Sequence, residues 1–307
     1  MSNPSGPHQP GGHRQSLRVA ILAATERLAA AGVPSPQVDA EELAAHLLGV
    51  GRTRLGLYPL VDDPVLDAYR ELVDRRVTRE PLQYLIGAAT VGAVTVQVGP
   101  GVFIPRPETE VLVERALAAI TDTPSPVVVD LCAGSGVIAL AIAAARPDAT
   151  VHAVERSPGA LAWARRNADL HAAAGSTPIL LRGGDITDER LLADLDGTAD
   201  LVTANPPYVP DGTPVEPEVS EYDPAEAVFA GPDGLDLIRP LISVAAGLLR
   251  PGGFLAIEHD ASQGESVPAL LAARRVLGDV TDHVDLAGRP RVVTARRVRL
   301  ATAADRD

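Results

Sequence analysis

The 307-residue chain is 46% apolar yet has no run of eighteen or more apolar residues, which excludes a helical membrane protein and suits two ordinary domains with a substantial core. Its net charge of −13, with every basic residue an arginine, argues against broad attraction to a nucleic-acid backbone and so against direct nucleic-acid binding. A single cysteine, Cys132, cannot form an internal disulfide and fits a reducing, cytoplasmic compartment.

Residues 1–15 are rich in Gly, Pro and His without an apolar signal core, and are expected to form a disordered tail. His8 and His13 lack acidic or Cys partners there and read as solvated side chains, so no metal site is expected. A helix is predicted over residues 17–31, capped by Ser16 and ended by Gly32. A second is predicted over residues 38–48 with Gly49 as its stop. A third follows Asp63-Pro64 to about Val77. With Pro81-Leu82-Gln83-Tyr84-Leu85 as its close, residues 16–85 form a small helical domain. Residues 91–98 read as a strand that turns at Gly99-Pro100-Gly101 into Val102-Phe103-Ile104, a β-hairpin linker spanning residues 86–105.

From residue 106 to 300 strands and helices alternate, before a short tail over residues 301–307. Strands are predicted over residues 127–131, 150–155, 179–182, 201–204, 254–258 and 291–296, with helices over 137–145, 158–173 and 234–249. Such alternation gives an α/β fold with a doubly wound, largely parallel sheet covered by helices on both faces. Ligands in that architecture bind beyond the carboxyl ends of the strands.

Those strand ends carry the chemistry. Asp130-Leu131-Cys132-Ala133-Gly134-Ser135-Gly136 joins a strand to a helix, and its glycines permit a turn that a ligand approaches closely. Taken alone it is a weak nucleotide signal, with Ala139 in the third glycine position. The next strand ends at Glu155, suited to the hydroxyls of a ribose, with Ser157 as helix cap and Pro158 in the first turn. The third is followed by Gly183-Gly184-Asp185-Ile186, where Asp185 suits an adenine amino group and Ile186 its ring. Asp and Gly after a strand usually make plain turns, but the acids recur at successive strand ends. The Arg289, Arg291, Arg296, Arg297 and Arg299 group reads as a solvated strand face and tail rather than a nucleic-acid patch.

At the fourth strand end stands Asn205-Pro206-Pro207-Tyr208, either an ordinary proline turn or a clamp for a planar nitrogen. The Asn205 side-chain oxygen and the Pro206 carbonyl can each accept one N–H of an amide or amino group, and Tyr208 can lay its ring on the flat target. Following those donor-type loops, the clamp reads as a methyl-transfer site.

The strand-end series resembles class I S-adenosylmethionine-dependent methyltransferases, and the fuller pattern resembles the peptide chain release factor glutamine N5-methyltransferases. The run Gly101-Val102-Phe103-Ile104-Pro105-Arg106-Pro107-Glu108-Thr109-Glu110 is similar to that family's second signature. Further matches are Pro81 to Gly87, Asp233-Gly234-Leu235-Asp236 and Ile257-Glu258-His259-Asp260. The resemblance spans about residues 17 to 298. It departs from the common pattern at Cys132-Ala133, where Gly-Thr is usual, and at Glu155, where Asp is usual.

The resemblance implies a mostly parallel sheet with its last strand antiparallel, and S-adenosylmethionine as donor with S-adenosylhomocysteine as product. Cys132, Ala133, Gly134, Ser135 and Gly136 would wrap its methionine part, Glu155 the ribose, and Asp185 with Ile186 the adenine; Asn205 would also touch the donor. Asn205, Pro206, Pro207 and Tyr208 would hold the glutamine amide of a Gly-Gly-Gln loop in class I release factors. Phe103, Pro105 and Arg106 would line the same cleft, Glu108 and Glu110 would begin the next helix, and the helical domain would grip the protein substrate. A monomer without metal is expected. Two sister activities share the clamp: methylation of a ribosomal-protein glutamine, and of adenine N6 in DNA or RNA.

Overall fold

The computed structural model describes residues 14–188 and 190–299. Most of the expected N-terminal tail, with His8 and His13, and the tail at 301–307 lie outside the described residues. The chain divides into two compact units, one ending at Ile86 and the other beginning at Gly87.

The first unit is built from β1 (Arg14–Ser16), α1 (Leu17–Ala30), α2 (Pro36–Leu48), β2 (Leu60–Asp62), α3 (Asp63–Val77) and α4 (Leu82–Ile86). Arg14 and Gln15, expected in the tail, instead pair antiparallel with Asp62 and Val61. Ser16 caps α1 by accepting from the Val19 N–H, and Gly49 ends α2 in the left-handed conformation that glycine adopts without a Cβ clash. Leu28, Leu43, Leu66 and Tyr69 are buried between the helices. The Asp39–Arg76 pair, 2.8 Å apart and almost wholly buried, ties α2 to α3.

The second unit opens with a hairpin of β3 (Ala88–Val91) and β4 (Val94–Gln97). This corrects the expected turn: the chain reverses at Gly92-Ala93, because Gly92 takes a φ of 56° as the first residue of a two-residue loop. Residues 102–104 are then an irregular segment, not a strand. Then follow α5 (Thr109–Ala119), β5 (Val127–Leu131), α6 (Val137–Ala145), β6 (Thr150–Glu155), α7 (Pro158–Ala173), β7 (Leu180–Gly183) and β8 (Ala199–Ala204). The chain continues through α8 (Pro217–Tyr222), α9 (Ala225–Val228), α10 (Ile238–Leu248), β9 (Leu249–Glu258), α11 (Ser266–Ala272), β10 (Leu277–Val284) and β11 (Pro290–Arg297). Among the described residues no helix is long and apolar enough to cross a membrane.

Seven strands form one sheet in the order β7-β6-β5-β8-β9-β11-β10. Strands β5 to β9 run parallel, and β11 lies antiparallel between β9 and β10. This is the doubly wound sheet with an antiparallel last strand that the resemblance implies. Val128, Val129 and Leu131 on β5, with Leu201 and Val202 on β8, are fully buried, as central strands covered on both faces require. The chain winds away from β5 in both directions, through β6 to one side and β8 to the other, which opens a crevice at their carboxyl ends. Asn167 on α7 fixes the hairpin beside that crevice: its amide bonds both the N–H and the carbonyl of Gln97 and donates to the Ser135 carbonyl.

Candidate active site

The loop after β5 turns sharply, with Cys132, Gly134 and Gly136 at φ of 63°, 56° and 84°. Cys132 thus occupies a backbone conformation that costs a side-chain-bearing residue about 1–2 kcal/mol, which is why glycine suits that position. Burial and nearby acids push its thiol upward, so it remains a neutral, poorly nucleophilic group. A Cβ on Gly134 would meet nothing within 4 Å, so this edge of the loop is open to the crevice. Gly136 does not reach the cavity wall; capping α6, it sits against Ala164 of α7 and serves the turn rather than the lining.

Glu155, at the end of β6, joins two loops. Its carboxylate accepts from the Gly134 N–H at 2.8 Å and from the Ser157 N–H at 2.7 Å. A carboxylate offers about four acceptor sites, so capacity remains for a ligand's hydroxyls. Ser157 stands at the helix N-cap, but its side chain makes no cap bond. Asp185 accepts from both the backbone N–H and the hydroxyl of Thr187, at 2.9 and 2.7 Å, which hold its carboxyl below the usual range. Ile186 is buried beside it and reaches the cavity. Asp130 is different: it is fully buried away from the cavity, and its carboxyl accepts from Thr203 at 2.8 Å, bridging β5 to β8.

The other wall of the same cavity carries the Asn205-Pro206-Pro207-Tyr208 run at the end of β8. The Asn205 amide nitrogen donates to the Thr109 hydroxyl at 3.3 Å, and the Tyr208 hydroxyl donates to Glu258 at 3.0 Å. Glu258 ends β9 and is fully buried; burial pushes its pKa up to about 7 while the Thr109 and Tyr208 hydroxyls draw it down. Burial and the Glu258 charge raise the Tyr208 phenol in turn, so it stays a hydrogen-bond donor. Behind the run, Gln263 donates to the carbonyls of Tyr208 and Asp233 at 2.9 and 3.2 Å.

Phe103, Pro105 and Arg106 close the cavity from the segment after the hairpin. The Arg106 guanidinium lies 5.1 Å from the Phe103 ring and pairs with Asp223 at 2.5 Å, so its charge is already partnered. Asp223 also accepts from the Ile104 N–H at 3.3 Å; burial lifts its pKa to about 6 against the pull of Arg106. Thus the structure gathers every expected site residue except Gly136 around one cavity. Sequence reasoning gave no role to Thr109 or Glu258, although both stand inside quoted motifs, nor to Asp223 and Gln263, which no local pattern marks. Four of the C-terminal arginines are engaged within the fold: Arg289 pairs with Asp285 and Glu108, Arg291 is buried rather than solvated as expected, and Arg296 and Arg297 donate to backbone carbonyls.

Two family models match this chain, the PrmC N-terminal domain over residues 20–87 and the methyltransferase small domain over residues 94–221. A release factor glutamine methyltransferase of Mycolicibacterium smegmatis is 50% identical over 285 residues, covering 92% of this chain and 98% of the relative. One from Streptomyces coelicolor is 49% identical over 286 residues, with coverage of 92% and 98%. Among solved structures, a release factor-specific protein-(glutamine-N5) methyltransferase from Alicyclobacillus acidocaldarius shows 29% identity and a TM-score of 0.39, covering 66% of this chain and 99% of that one. With about half of its residues shared along nearly the whole length of such relatives, this chain belongs to the release factor glutamine methyltransferase family.

Proposed function

We propose that this protein transfers a methyl group from S-adenosylmethionine to the side-chain amide nitrogen of the glutamine in the Gly-Gly-Gln motif of class I release factors. One observation carries the reading: the Asn205–Tyr208 clamp and the Cys132–Ser135, Glu155 and Asp185 loops face a single cavity. The residues fit the donor. The open edge at Gly134 admits a close backbone approach, Glu155 retains acceptor sites for ribose hydroxyls, and ionised Asp185 suits an amino group.

When bound, the donor supplies an electrophilic methyl on a positively charged sulfonium. The protein's part is to hold and polarise the acceptor. The amide nitrogen's lone pair is delocalised, and it becomes nucleophilic as the nitrogen turns tetrahedral. In that change its N–H bonds donate more strongly to the Asn205 oxygen and the Pro206 carbonyl, so the contacts favour the transition state over the ground state, and one of the two protons then passes to solvent as the methylated nitrogen returns to a neutral planar amide. Tyr208, tethered to Glu258, supports the flat group. Phe103 and the paired Arg106 narrow the cleft beside it.

In this reading residues 16–85 are the substrate-recognition domain, residues 86–105 link it to the methyltransferase domain at 106–300, and the chain acts as a monomer in the cytoplasm. The test supplies labelled donor with a release factor, a ribosomal protein and nucleic acid in turn. Label on the release factor, lost when the motif's glutamine becomes alanine, is the expected result. Label only on the ribosomal protein or only on adenine would overturn it.

A further inference from the structure

The buried Glu258 carboxyl accepts from the Tyr208 hydroxyl through Oε1, while Oε2 meets no partner in good hydrogen-bond geometry among the described residues, and it lies behind the clamp rather than on the cavity wall. Thr109, 1% exposed at the start of α5, neighbours both groups: its hydroxyl draws the Glu258 acid down and lies 3.3 Å from the Asn205 amide nitrogen. Its backbone is fixed by an N–H bond to the Arg106 carbonyl at 3.1 Å. A threonine hydroxyl has one proton and two lone pairs. Above its pKa of about 7 Glu258 is a carboxylate that can only accept, so the Thr109 hydroxyl that draws this acid down turns its proton toward it and meets the Asn205 amide nitrogen, 3.3 Å away, with a lone pair.

An acceptor selects the NH₂ end of a primary amide. We infer that Thr109, backed by Glu258, is a positioning residue that sets which end of the Asn205 amide faces the cleft. The NH₂ end is held by Thr109, as the 3.3 Å contact has it, and the oxygen is turned toward the acceptor nitrogen. Were the amide reversed, Asn205 would present donors to a substrate group that itself only donates there, and the clamp would repel it. Through the Tyr208 hydroxyl the same acid also holds the ring, so one buried carboxyl aligns both ends of the clamp. The inference rests on the reading of Asn205 as the acceptor-nitrogen partner.

The experiment compares wild type, Thr109→Val and Thr109→Ser in release-factor methylation, and follows water exchange of the Asn205 side-chain amide by ¹⁵N NMR. The Asn205 signals are identified by their loss in Asn205→Ala. Valine keeps the shape and removes the hydroxyl; Thr109→Ala takes its place if Thr109→Val does not fold. The expected result is a turnover loss of about tenfold or more. KM for the release factor and donor affinity should stay within about threefold. Thr109→Ser should restore turnover, and the slowed exchange of one Asn205 amide proton should vanish in Thr109→Val and return in Thr109→Ser. Wild-type turnover in Thr109→Val, unchanged amide exchange there, or failure of serine to restore either would overturn the inference. If wild type labels a different acceptor, the proposed function fails; the same comparison on that acceptor, with the amide exchange, still decides the role of Thr109.

Discussion

Replacing Gly234 by alanine tests how firmly the clamp is braced from behind. Gly234 has a φ of 71°, and a Cβ built there would lie 2.1 Å from the Tyr208 carbonyl oxygen and 2.7 Å from the Gln263 amide nitrogen. A methyl carbon approaches a carbonyl oxygen no closer than about 3.3 Å, so the Tyr208 backbone must retreat by more than about 1 Å. Its Gln263 bond is displaced with it. A shift of that size in a positioned group costs on the order of a hundredfold in rate. The left-handed backbone adds about 1–2 kcal/mol of strain to the folded state. The assay is turnover at saturating donor on a release factor, with donor affinity by calorimetry and stability by thermal unfolding. Turnover should fall about a hundredfold while donor affinity stays within about threefold. Gly49→Ala is the control: at a φ of 63° with nothing within 4 Å, it carries the conformational cost alone and should leave turnover intact. A folded Gly234→Ala protein with wild-type turnover would refute the brace.

Asn205→Ala should leave donor affinity within a few fold and lower turnover by about a hundredfold, the scale of losing one preorganised polar partner; steady-state kinetics beside calorimetry checks this. Gly134→Ala, whose methyl would project into open space beside the crevice, should weaken donor binding in calorimetry more than it slows turnover at saturating donor. Asp223→Asn removes the partner of Arg106 and should raise KM for the release factor about tenfold, with donor affinity preserved. Glu258 predicts a pH dependence of stability. Its folded pKa of about 7 exceeds the ordinary carboxyl value of 4.5, so between them the folded state holds a proton that the unfolded chain has lost, and its contribution to stability falls as pH rises from about 4.5 to 7. Glu258→Gln cannot ionise, so its melting temperature relative to wild type should rise across that window. A constant difference between pH 4 and pH 8 would count against the buried, proton-retaining acid.

The donor loops and the clamp were legible because each lies where an apolar strand gives way to Gly, Asp, Asn or Pro. A parallel sheet places all such junctions at one end. Strand β10 carries no readable signal because only Leu277 in it is buried; Gly278, Asp279, Thr281 and Asp282 leave no apolar alternation. The hairpin turn is hidden because Gly99-Pro100-Gly101 looks like stronger punctuation than Gly92-Ala93. The strand pairing of Ala88–Val91 with Val94–Gln97 is a cross-strand contact that composition does not display. The roles of Thr109 and Glu258 are not legible in their own motifs, since their proximity depends on the packing of α5 against β9.

The chemistry of the site is written in local residue order, which sets where strands end, and strand ends set which acids, glycines and carbonyls face a ligand. The tertiary structure decided which way those groups point. Glu258 lies 50 residues beyond Tyr208, and Thr109 lies 96 residues before Asn205. Only the folded sheet brings them into contact, and burial raises the pKa of Glu258 behind the clamp.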